Sequence, residues 1–294
     1  MIIDVHTHAW DVATHIDQIF LDDFQRAIRG AKIEIRVEFE SYLQAMEPCD
    51  RAVCFGLRGL KTGLHIPNDY IAAFVKRAPE KLIGFMSIDP TEPAWQDDFE
   101  HSLHDLKLKG VKLGPMYAGF DPSDVKLDQL YADCVKHNLP VLLHMGTSFV
   151  RFGPLEYSRP ILIDAVAARF PDLKIIIAHL GHPWEGETIA VIRKHPNVYA
   201  DVSALHYRPW QFFHSLMLAQ EYGAMHKLLF GSDYPFTTPA ASFEGMRNIN
   251  RFCAGTNLPR VNEQAIEEII HRDAIQLLWG GDPSGTSGKA GGLR

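Results

Sequence analysis

The sequence predicts an α/β chain folded as a (β/α)8 TIM barrel, and three observations carry that expectation. Short apolar runs of strand length recur at 2–6, 52–56, 82–88, 111–114, 141–146, 175–179, 198–203 and 228–233. Amphipathic stretches with helical spacing lie between them, at 69–77, 97–107, 127–136, 161–170 and 210–222. Near-continuous apolar strands that alternate with helices imply a parallel sheet covered by helices, and about eight such units suit closure into a barrel. The third observation is a missing motif: no G-x-G-x-x-G follows the first run, which weighs against a doubly wound open sheet.

The first run ends in His6-Thr7-His8. Alternate side chains of a strand share a face, so both imidazoles point the same way and can hold one metal ion. Asp4 falls on that face by the same rule, one step deeper, and suits a buried hydrogen-bonding carboxylate. Residues 9–48 form a connection far longer than usual after a barrel strand. It is read as a long loop or helical insertion that caps the active face and helps choose the substrate. The last pattern, 262–279, has Asn262 as an N-cap, acidic residues in its first turn, and apolar positions that suit a docked C-terminal helix. Residues 1–280 are therefore expected to form a single barrel domain and 281–294 a flexible Gly/Ser-rich tail.

Composition narrows the partners. The chain has 294 residues, a formal charge of -7 and no clustered basic face. This argues against nucleic acid or an anionic membrane and in favour of a small polar or anionic substrate. With no signal-peptide pattern and no apolar run of spanning length, the reading is a cytoplasmic enzyme able to form a homo-oligomer. Cys49, Cys54, Cys134 and Cys253 are scattered without Cys-x-x-Cys spacing and read as reduced packing residues.

In a βα barrel the chemistry sits at the carboxyl ends of the strands. Strand five ends in Leu142-Leu143-His144-Met145-Gly146, strand six in Ile177-Ala178-His179-Leu180-Gly181 and strand eight in Phe230-Gly231-Ser232-Asp233. The period-two rule pairs His144 with Gly146, His179 with Gly181 and Asp233 with Gly231. Those glycines are expected to leave room for a metal and a substrate.

These residues, with Gly110-Val111-Lys112-Leu113, Ala178-His179-Leu180-Gly181 and Gly231-Ser232-Asp233-Tyr234-Pro235, resemble the amidohydrolase superfamily. The resemblance is to its amidohydrolase-related branch, from Met1 to about Trp279. That branch includes hydrolases and non-oxidative decarboxylases of the aminocarboxymuconate semialdehyde and resorcylate types. The resemblance implies a catalytic divalent metal, zinc or manganese, with His6, His8 and His144 as nitrogen ligands. Asp233 would be an oxygen ligand or the base beside a metal-activated water. His179 is then free for acid, base or oxyanion work, as the matching residue is in the decarboxylases. The leading expectation is hydrolysis of a small ester, lactone or amide; the alternative is decarboxylation of an aromatic or unsaturated acid. Related decarboxylases often carry Glu where this chain has His182, a departure that favours the hydrolase.

Lys112 decides between one metal and two. Some superfamily members bridge two metals with a carbamylated lysine on strand four, whereas an unmodified ammonium would anchor an anionic substrate; the second role is preferred. Tyr117, Arg151, His182 and Tyr234 are further substrate-binding candidates. Trp184, Ser203, His206 and Tyr207 follow strand ends more loosely, and Arg58 and Arg159 share with Arg151 the ability to clamp a carboxylate.

Overall fold

In the computed structural model, which describes residues 1–30 and 33–283, all eight expected strands form. β1 (Ile3–His8) lies parallel to β2 (Arg51–Phe55). β3 runs in two pieces, Leu82–Gly84 beside β2 and Met86–Ser87 beside β4 (Val111–Leu113). At the joint, Phe85 N donates to Cys54 O at 3.0 Å and Met86 N to Gly110 O at 2.9 Å, so one strand changes partner as it bends. The parallel ladder continues through β5 (Val141–Leu143), β6 (Ile175–Ile177), β7 (Val198–Asp201) and β8 (Leu228–Leu229). Beyond β8, Val5 N donates to Phe230 O at 3.0 Å, Asp233 N to His6 O at 2.8 Å and His8 N to Tyr234 O at 2.8 Å. These bonds bring the last strand against the first in a TIM barrel.

β1 carries one extra residue. Asp4 pairs with Ala52 but Thr7 with Cys54, three steps on one strand against two on the other. The bulge reverses the alternation. Below it, Ile3 and Val5 pack inside the barrel with Val53, Phe55, Ile83, Phe85, Leu142, Ile176 and Leu229. Above it, His6 and His8 face inward, their rings 5.1 and 4.8 Å from that of Phe55. Thr7 turns outward, bonding Tyr42 Oη and Val53 O. Strict alternation therefore misplaces Asp4, which lies behind the strand and not one step below His6.

The insertion is helical: α1 (Val12–His15), α2 (Gln18–Ile28) and α3 (Phe39–Ala45). α2 lies across the mouth of the barrel, with Phe20 and Phe24 against Phe149 at ring distances of 5.2 and 5.8 Å. A short antiparallel ribbon after β2, Arg58–Gly59 with Leu64–His65, has no clear signal in the sequence.

The helix expected over 262–279 is two helices. Asn262 caps Glu263–Ile270 as anticipated, and Asp273 starts a second, Ala274–Trp279, by accepting from Gln276 N. Ala274, Ile275 and Leu278 join the interior cluster of the barrel, and Trp279 Nε1 donates to Lys109 O at 2.9 Å. The tail expected from 281 lies, from residue 284 on, outside the described residues. Among the described residues no helix is long and apolar enough to cross a membrane, and all four cysteines are buried and free of disulfides.

Candidate metal centre

The strands stop before the site begins. β5, β6 and β8 end at Leu143, Ile177 and Leu229, so His144, His179 and Asp233 stand on irregular backbone where the period-two rule no longer applies. After β6 the chain turns through three left-handed residues, His179 at φ 56°, Leu180 at 49° and Gly181 at 63°. Ala204 and Asp233 are also left-handed, at 58° and 69°. Each such non-glycine residue costs about 1–3 kcal/mol, and strain of this kind clusters at functional sites.

The expectation that glycines leave room for ligand is corrected. A Cβ on Gly146 would lie 2.5 Å from His182 O, and one on Gly181 2.3 Å from Pro160. The neighbours have filled these volumes. At Gly231 the approach is of the site itself, since a Cβ would meet His6 Cβ at 3.0 Å and Ser203 Cβ at 3.2 Å.

Asp233 Oδ1 stands 3.3 Å from His6 Nε2 and 3.3 Å from His8 Nε2. His6, His179 and Asp233 each bring one ligand atom within 4.8 Å of the others. The His144 ring lies 5.0 Å from that of His179 and 4.8 Å from that of Tyr117. His6 Nε2, His144 Nε2 and Lys112 Nζ are buried and accept or donate no hydrogen bond within the protein. Burying such polar atoms without partners costs free energy that a bound cation or substrate can offset.

Burial, reinforced by neighbouring cationic groups, holds the imidazoles of His6, His8, His144 and His179 well below the usual range. They are therefore neutral, the form that ligates metals. Burial pushes Asp233 well above the usual carboxylate range although Lys112 pulls it down, the response of a carboxylate with too little local positive charge. Burial lowers Lys112 to about 7 and, with Arg208, His182 to about 4. The donor set, its burial and its orphaned nitrogens fit a divalent ion.

His8, His144, His179 and Asp233 open onto a cavity of about 320 Å³, whereas His6 lies behind its wall. Lys112, Tyr117 and His182 line it, as does Tyr207 from the weaker candidates. Lys112 Nζ sits 4.7 Å from the Phe55 ring centroid. Trp10 and Phe20 from the insertion, with Phe149 and Phe236, supply aromatic walls.

Two expected substrate contacts are placed elsewhere. The guanidinium of Arg151 is committed to Asp23 of α2, and its backbone N donates to the same carboxylate at 2.8 Å. Tyr234 packs its ring 5.3 Å from that of Tyr42, behind β1, and contributes its carbonyl to His8 N. Arg58 pairs with Glu92 and Asp98, and Arg159 with Glu187.

Two charged residues at the site escaped the sequence reading. Asp201, fully buried at the end of β7, lies 2.9 Å from His6 Nδ1; the strand-end rule applied to residues 198–203 would have found it. Arg208 lines the cavity beside Tyr207, but nothing local distinguishes it from any arginine ahead of a helix.

The amidohydrolase family model matches residues 3–278. Among solved structures, the chain is similar to an uncharacterized TIM-barrel protein from Bordetella bronchiseptica, at 24% identity and a TM-score of 0.72 over 94% of this chain and 98% of that one. It is also similar to a probable 2-pyrone-4,6-dicarboxylic acid hydrolase from Acinetobacter baumannii, at 18% identity and a TM-score of 0.64 over 95% and 99%. A third is 5-carboxyvanillate decarboxylase from Sphingomonas paucimobilis, at 14% identity and a TM-score of 0.63 over 94% and 98%. At these identities the likeness is one of fold. No curated protein sequence gives a significant match. With the family pattern running almost the whole length of a barrel whose buried imidazoles and carboxylate suit a metal, the chain belongs to the amidohydrolase family.

Proposed function

We propose that the protein is a metal-dependent hydrolase of a small ester, lactone or amide that bears an anionic group. One divalent ion, zinc or manganese, would be held by His6, His8, His144 and Asp233. The observation that carries the reading is Asp233 Oδ1, 3.3 Å from two neutral imidazole nitrogens and open to the cavity. When bound, such an ion lowers the pKa of a coordinated water to about 7 and polarises a carbonyl oxygen. Asp233, which lines the cavity, would help to hold the ion and would be the carboxylate that takes up the proton such a water releases. His179, neutral and lining the same cavity, serves as the second proton carrier, first taking up a proton at its ring nitrogen and then passing it to the leaving oxygen or nitrogen. Lys112 and Arg208 offer cationic donors to a substrate carboxylate, and the aromatic walls exclude water and flank a planar ring.

A second reading, decarboxylation of an aromatic or unsaturated acid, is favoured by Lys112. Its buried Nζ makes no hydrogen bond within the protein and suits a carboxylate held against the centre. Incubating the metal-loaded protein with lactones, amides and phenolic acids, and reading products by mass spectrometry, separates the two. Gain of water supports the hydrolase and loss of carbon dioxide the carboxy-lyase; turnover of none of these classes would contradict both.

A further inference from the structure

Asp201 and Ser203 organise two rings of the centre at once. Asp201 Oδ1 accepts from the backbone N of His179 at 2.9 Å and of Ser203 at 3.1 Å, and lies 2.5 Å from Ser203 Oγ. Asp201 Oδ2 is 2.9 Å from His6 Nδ1. Ser203 Oγ is in turn 2.7 Å from His179 Nδ1 and 3.3 Å from His6 Nδ1. All of these groups are buried.

The inventory of protons has one consistent solution for an ionised carboxylate. Backbone N–H groups only donate, so Oδ1 is an acceptor, and the single hydroxyl proton of Ser203 goes to it. Oγ then has only lone pairs to offer His179, whose Nδ1 must carry the proton and donate. His6 Nδ1 likewise donates to Oδ2. A neutral imidazole protonated at Nδ1 keeps its lone pair at Nε2.

We infer that Asp201 and Ser203 are positioning residues that fix His6 and His179 in the same tautomer, protonated at Nδ1, and so present both Nε2 lone pairs to the centre beside Asp233. The inference rests on the reading of these rings as the active centre, and it adds a direction to the chemistry. In this state His6 Nε2 is ready to ligate, and His179 Nε2 can accept a proton but has none to give. His179 therefore meets its substrate as a base.

The test is the tautomer itself, measured on the full-length chain freed of metal by chelator. Long-range proton–nitrogen correlation spectra of histidine-labelled protein at neutral pH distinguish the two tautomers, with assignments from His6→Gln and His179→Gln. Both rings are expected to be protonated at Nδ1. Ser203→Ala should release His179 while leaving His6 unchanged, and Ser203→Thr, which keeps the hydroxyl, should restore the native pattern. Asp201→Asn presents an amide N–H to His6 Nδ1. It should move His6 to the other tautomer and weaken binding of zinc alone by about 10- to 100-fold, read by competition with a chromophoric chelator. A proton at Nε2 of either ring in the native protein, or an unchanged His179 signal in Ser203→Ala, would overturn the inference. The native spectrum needs no variant to fold. A protein that shows both rings protonated at Nδ1 yet turns over no ester, lactone, amide or acid would contradict the proposed reaction while leaving the positioning role intact.

Discussion

Asp4 Oδ1 accepts a hydrogen bond from His6 N, two residues along the same strand, at 3.0 Å. The same oxygen accepts from Ser232 N at 3.0 Å, so one carboxyl group braces both the bulge in β1 and the segment that leads to Asp233. Because the bulge turns His6 and His8 inward, the geometry of the centre depends on a residue that never faces it.

Replacing Asp4 tests this dependence. Asp4→Ala strands two buried N–H groups and is expected to lower stability by about 2–4 kcal/mol and to weaken metal binding. Burial already raises the Asp4 carboxyl to about 7, so an uncharged acceptor of the same shape should be tolerated, and Asp4→Asn should retain most of both properties. Thermal denaturation and metal titration of the two variants check it; equal loss in both would mean that the charge, not the acceptor, matters.

Lys112 is expected to trade stability for binding. Burial lowers its amine from 10.5 to about 7, so below about pH 7 it is charged in folded and unfolded chains alike and its burial penalty is complete. As pH rises from there towards 10.5 the unfolded chain holds more protons than the folded one, and stability rises. Lys112→Met should therefore stabilise the metal-free chain at neutral pH by about 1 kcal/mol or more, with the gap closing at alkaline pH. The same variant should raise KM for anionic substrates by about 10- to 100-fold. Denaturant melts at several pH values, with steady-state kinetics, check both parts.

The insertion should set substrate choice. Phe20 of α2 is buried against Phe149 and lines the cavity. Phe20→Leu removes part of an aromatic wall without touching the metal residues. It should raise KM or admit bulkier substrates at a stability cost of about 1–2 kcal/mol. Unchanged kinetics across a substrate panel would remove this role.

The alternation of apolar runs with helical patterns made all eight strands legible, because burial on both faces of a parallel strand imposes continuous apolarity. That His6, His8, His144, His179 and Asp233 would come together was legible because the ends of barrel strands converge on one face. The bulge was not: Asp4-Val5-His6 contains no residue that demands one, and it arises from the pairing of β1 with β2 and from backbone bonds across the barrel. The destinations of Arg151 and Tyr234 were equally hidden, since Asp23 and Tyr42 lie 128 and 192 residues away in the chain. The glycines misled because a missing Cβ marks close approach as readily as open space.

His179→Asn is expected to lower kcat by about 10² to 10⁴, the usual contribution of a positioned acid or base, with a smaller change in KM. Steady-state kinetics on whichever substrate class is turned over would check it, and a change in KM alone would reduce His179 to a binding role.

The central claim is that His6, His8, His144 and Asp233 hold one divalent ion while His179 is kept for proton transfer. The most direct measurement is the metal content of the purified chain and of two variants, His144→Asn and His179→Asn, by elemental analysis after equilibration with limiting zinc or manganese. The account predicts one ion per chain in the native protein and in His179→Asn, and loss of the ion in His144→Asn. Retention in His144→Asn with loss in His179→Asn would contradict it and make His179, whose donor atom lies within 4.8 Å of those of His6 and Asp233, the ligand.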